Sequence, residues 1–72
     1  MNITVAHKNG KTYTELKNVI KVRSGMSLTS KWYEGEQIKN APLTSDRDIE
    51  IIHEGGRFII AKGDFVTLSI ED

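Results

Sequence analysis

The sequence predicts an all-β fold: one small antiparallel barrel or rolled sheet of about six to eight short strands spanning residues 1–72. Three observations predict it. Residues 3–23 and 49–69 carry one strand-and-turn pattern, offset by 46 positions without a gap. The long apolar side chains are mostly β-branched or aromatic, which suits a pleated surface. No stretch repeats its apolar residues at the 3.6 spacing of a helix.

The first strand is Ile3-Thr4-Val5-Ala6-His7, and Asn9-Gly10 is the strongest hairpin signal in the chain. Both residues tolerate the positive φ of a type I′ turn. A two-residue loop there pairs His7 with Thr12, Val5 with Thr14 and Ile3 with Leu16. After Lys17-Asn18, a third strand alternates Ile20 and Val22 on one face with Lys21 and Arg23 on the other.

Residues 26–40 read as a middle hairpin. Met26, Leu28 and Trp32 share a face, which makes Trp32 a core residue and turns Tyr33 outward with Lys31. Glu34-Gly35 offers the turn, and Glu36-Gln37-Ile38-Lys39 the return strand. Pro42 has no N–H and ends the ladder. Thr44-Ser45-Asp46-Arg47-Asp48 is a polar connector.

The second unit repeats the first. Gly55-Gly56 matches Asn9-Gly10, which pairs His53 with Phe58 and Ile51 with Ile60. This hairpin is apolar on both faces, as a central position requires. In the last strand Val66, Leu68 and Ile70 share a face opposite Thr67, Ser69 and Glu71.

The formal net charge is zero, yet residues 1–33 carry six bases against Glu15 alone, and residues 34–72 carry nine acids against four bases. Paired strands favour opposite charges, so the halves are expected to interleave. A basic face in the N-terminal half, made of Lys21, Arg23 and Lys31, is the alternative.

Catalysis is not expected. There is no Cys, no G-x-S-x-G elbow, and no helix after Gly55-Gly56 to form a phosphate-cradling loop. His7 and His53 sit at equivalent positions, but no third ligand has a recognisable spacing, so no metal and no cofactor are expected. Met1-Asn2-Ile3-Thr4 lacks the basic start and apolar stretch of a secretory leader. Phe58-Ile59-Ile60-Ala61 is too short to span a bilayer. A cytoplasmic protein with no membrane contact is expected. Small size and a Lys-, Ile- and Asn-rich composition suit a phage or mobile-element protein of a low-GC bacterium.

Lys62-Gly63-Asp64-Phe65-Val66 resembles the G-D-x-V turn-into-strand of SH3-like barrels, including KOW-type modules. The resemblance covers five residues and implies an SH3-like barrel as one variant of the fold.

The function expected is a non-enzymatic binding module that contacts another protein, or a second copy, through a sheet edge. Lys21, Arg23, Lys31 and Tyr33 are the candidate binding residues. The alternative is a nucleic-acid-binding small β-barrel that uses the basic N-terminal half, with aromatics stacking bases and cations meeting phosphates.

Overall fold

The computed structural model describes all 72 residues. Seven strands form two antiparallel sheets: β1 (Asn2–His7), β2 (Tyr13–Leu16), β3 (Lys21–Ser24), β4 (Trp32–Glu34), β5 (Ile49–His53), β6 (Gly56–Ile60) and β7 (Phe65–Glu71). The three-stranded sheet has the order β2-β1-β7, and the four-stranded sheet β4-β3-β5-β6. The sheets do not close into a barrel, so the SH3-like variant gives way to the rolled-sheet one.

Alternation sets the core. Ile3, Val5 and Leu16 of one sheet and Val22, Ile49, Ile51 and Ile60 of the other are buried, with Val19, Ile38 and Phe65 completing the cluster. A 3-10 helix, Gly35–Asn40, inserts Ile38 into this core. It stands where a return strand was expected. A hairpin around Glu34-Gly35 is therefore absent: residues 26–31 are a turn and β4 is only three residues long.

The third strand of each unit does not complete its own sheet. β3 leaves the first hairpin and pairs with β5, while β7 leaves the second and pairs with β1. The crossing is made at Asn18, whose φ of 53° bends the chain away from β2. Val19 N–H then bonds Met1 O at 2.8 Å, and Ile20 N–H bonds Ile52 O at 2.8 Å. Ile20 ends up outside the strand and exposed, not on the Val22 face. The two crossed ladders share one register. Val5 opposes Leu68 and Ile51 opposes Val22, two pairs that a shift of 46 residues interchanges.

Local chemistry explains the remaining departures. In the first hairpin the expected register holds, but the turn is His7–Gly10, with Gly10 N–H donating to His7 O at 3.0 Å. Only Gly10 is left-handed, at φ 72°. Asn9 instead accepts the Lys11 and Thr12 N–H groups on its side-chain oxygen at 2.9 and 3.0 Å, as Asn does in turns. In the second hairpin His53 opposes Gly56 and Ile51 opposes Phe58, so the loop is Glu54-Gly55. This register differs by two residues from the expected one and leaves every side chain on its expected face. In β7 the pairing shifts between Ala6 and His7, which leaves Val66 unpaired as a bulge. Phe65 and Leu68, three residues apart, therefore both turn inward, and Val66 is exposed.

Candidate functional site

Cross-strand pairing lines up two rows on the outer face of the four-stranded sheet. Trp32, Arg23, Glu50 and Ile59 form one row, and Glu34, Lys21, Ile52 and Arg57 the other. The middle of this face is a single electrostatic network. Glu50 is almost wholly buried although it carries a charge. Arg23 Nε donates to its Oε1 at 2.6 Å, and Arg23 Nη2 lies 2.6 Å from the same oxygen. Arg57 Nε donates to the other oxygen, Oε2. Burial pushes the carboxyl pKa up, but the hydrogen bonds from Arg57 and Arg23 outweigh it and hold Glu50 below the usual carboxylate range. Each oxygen of the carboxylate is thus met by its own guanidinium.

The network continues onto Trp32. Lys21 Nζ lies 4.4 Å, and the Arg23 guanidinium carbon 4.5 Å, from the centre of the indole ring, within cation–π range. Arg23 therefore serves three groups at once, because its Nη1 also donates to Ser27 O at 3.3 Å.

Of the four residues singled out from sequence, Lys21 and Arg23 meet on this face. Lys31 and Tyr33 do not. Val22 opposes Tyr33, so Tyr33 faces inward and packs against the core, while Trp32 lies on the outer face. The expected faces of the two aromatics are exchanged. The expected alternation was counted from Met26 and Leu28, and that segment is not a strand. Lys31 Nζ sits 4.9 Å from the Tyr33 ring centre. Sequence reasoning passed over Trp32, Glu50 and Arg57. Glu50 had a visible signal: it is the one charge inside the apolar run Ile49-Glu50-Ile51-Ile52.

One cleft opens in the molecule, of about 490 Å³, beside β4 rather than on this face. The loop after β3 and the connector before β5 supply most of its walls, among them Ser27, Ser30, Lys31, Tyr33, Asp46 and Arg47.

The two histidines have separate surroundings. His7 Nε2 lies 2.6 Å from Thr14 Oγ1, and its Nδ1 3.5 Å from Asp64 Oδ2. His53 Nδ1 accepts the Gly55 N–H at 3.2 Å. Asp64, His7 and Thr14 thus line up as an acid–imidazole–hydroxyl chain, and the cleft beside β4 is lined by other residues. No three His, Cys, Asp or Glu residues are grouped closely enough to hold a metal ion. No helix is long and apolar enough to cross a membrane. Comparison with protein-family models, curated proteins and solved structures finds no match for the chain.

Proposed function

We propose that the chain is a small non-enzymatic binding module whose outer four-stranded face docks another protein. The observation that carries this reading is Trp32, held between Lys21 and Arg23 on a face whose charges are already organised around Glu50. Interfaces concentrate their binding energy in Trp, Tyr and Arg residues fixed before contact. Ile59 is partly exposed on the same face and adds apolar surface. β6 is an edge strand, so a partner strand pairing there reaches Arg57 and Ile59. On composition alone, the reading extends to a cytoplasmic protein of phage or mobile-element origin.

Nucleic-acid binding ranks second. On this face Arg23 and Arg57 are both engaged by Glu50, and Glu34 opposes Lys21 in register, so the docking face itself offers phosphates little cationic charge beyond Lys21.

The test is capture from native-host extract on the immobilised protein, identification of the captured protein, and titration of that purified partner. Trp32→Ala is expected to abolish capture, and Lys11→Ala, in the β1–β2 turn, to preserve it. Capture that ignores Trp32 overturns the reading. Binding of a single-stranded oligonucleotide that falls steeply with salt and disappears in Lys21→Glu favours the second reading instead.

A further inference from the structure

The cleft beside β4 stands apart from the docking face. Its lining residues are mostly polar or charged, though nearly half of the lining surface is apolar, and Ser24, Ser27, Thr29 and Ser30 are among them. Three of them are fixed by one another: Ser27 Oγ lies 3.0 Å from Thr29 Oγ1 and 3.1 Å from Ser30 Oγ, and Ser27 N–H donates to Ser30 Oγ at 3.2 Å. Arg23, bonded to Ser27 O, braces the loop from the other side of the sheet.

Two cations, Lys31 and Arg47, line the cleft, and neither forms a salt bridge within the chain. Gly25 makes room for this arrangement. Its φ is 83°, its N–H bonds Asp48 O at 2.7 Å, and a Cβ there would meet Ser30 Oγ at 3.1 Å and Arg47 Nη1 at 3.9 Å. The glycine therefore lets the backbone pass close to Ser30 Oγ, with Arg47 Nη1 at ordinary contact distance beyond it. Asp46 is the single carboxylate of the lining, and its Oδ1 is taken by the Thr44 hydroxyl. One net positive charge remains on the lining as a whole.

A guanidinium and an ammonium lining one cleft suit a phosphate group. The volume exceeds what a bare phosphate fills and falls within the range of small-molecule sites. The rest of the wall offers hydroxyls and a carboxylate, the partners of a polyhydroxylated body. We propose that this cleft binds a sugar phosphate, with Lys31 and Arg47 on the phosphate and the Ser/Thr hydroxyls and Asp46 on the sugar. This inference does not depend on the protein-docking reading, because Lys31, Asp46 and Arg47 lie outside that face.

The test is calorimetric titration of the intact protein at low ionic strength with glucose 6-phosphate, inorganic phosphate and glucose. Glucose 6-phosphate is expected to bind about tenfold or more tightly than inorganic phosphate, and glucose to give no heat. Arg47→Ala and Lys31→Ala are each expected to weaken glucose 6-phosphate binding about tenfold or more, with Lys11→Ala unchanged. Should Arg47→Ala fail to fold, Lys31→Ala decides the point alone. The proposal is overturned by no binding of glucose 6-phosphate at millimolar concentration. Equal affinity for inorganic phosphate, or unaltered affinity in a folded Lys31→Ala protein, also overturns it.

Discussion

Arg23 Nη2 lies 2.6 Å from Glu50 Oε1, and the same guanidinium stacks on Trp32, so one side chain from β3 joins β4 to β5. The salt bridge belongs to the sheet as much as to its surface, because the Glu50 carboxylate has almost no contact with water. Removing one partner of such a pair leaves the other charge uncompensated in a poorly hydrated place.

Glu50→Ala is therefore expected to cost about 3 kcal/mol, the lower end for a buried pair because Arg57 is half exposed. A domain of this size has only a few kcal/mol in reserve. Urea unfolding followed by tryptophan fluorescence measures the loss. A cost below about 1 kcal/mol, the surface-pair range, would show the network to be ornamental.

The same pair predicts an acid limit. The folded pKa of Glu50 lies below its ordinary value of 4.5, so its contribution is complete above that pH and drains away as pH falls through the folded pKa. Stability should fall in acid below about pH 4.5, and Glu50→Gln should flatten that part of the profile. Thermal melts between pH 2 and 7 on both proteins settle it; parallel profiles contradict the assignment.

Trp32→Ala is expected to weaken partner binding by about 2 kcal/mol or more, roughly thirtyfold, beyond the stability it costs by uncovering Lys21 and Arg23. Tyr33→Ala should do the reverse: it removes packing from the core and destabilises by more than it affects binding. Paired calorimetry and denaturation on the two variants distinguish an outward Trp32 from an outward Tyr33.

The bulge at Val66 gives a contrast within one strand. Val66→Asp is expected to stay within about 0.5 kcal/mol of wild type, since the side chain is exposed. Leu68→Asp places a carboxylate against the core and should unfold the domain at neutral pH. Circular dichroism melts decide it; equal sensitivity at the two positions would mean that β7 runs without a bulge.

Much of the core was legible from period-two alternation alone. Ile3, Val5, Val22 and Ile51 point inward as their spacing requires, and Ile3↔Leu16 is the pairing a short Asn-Gly loop imposes. The second hairpin was misplaced by two residues because Gly55-Gly56 allows either glycine to take the positive φ. The chain uses Gly56, at φ 119°, to re-enter the strand. Alternation is blind to such an even shift. It is equally blind to which sheet a strand joins, so the crossing of β3 and β7 was hidden: a strand with one apolar face fits any partner that completes a core. Val66 was misread because a bulge resets the period in mid-strand.

The candidate site was half legible. Lys21 and Arg23 share the outer face that the alternation within β3 gives them. Trp32 and Tyr33 were exchanged because adjacent aromatics differ only in parity, and parity was counted through Ser30-Lys31, where no strand exists. The role of Arg47 rests on long-range folding that places the connector against the loop after β3, a contact with no local signature.

The crossing of the third strands also governs how the molecule comes apart. Residues 1–34 supply β2 and β1 to one sheet and β4 and β3 to the other; residues 49–71 supply β7 to the first and β5 and β6 to the second. Neither portion holds a finished sheet, so the two are clasped like folded hands. A protease that nicks the connector between them severs a covalent link but frees no strand, and the two portions part only when the β1–β7 and β3–β5 ladders both give way.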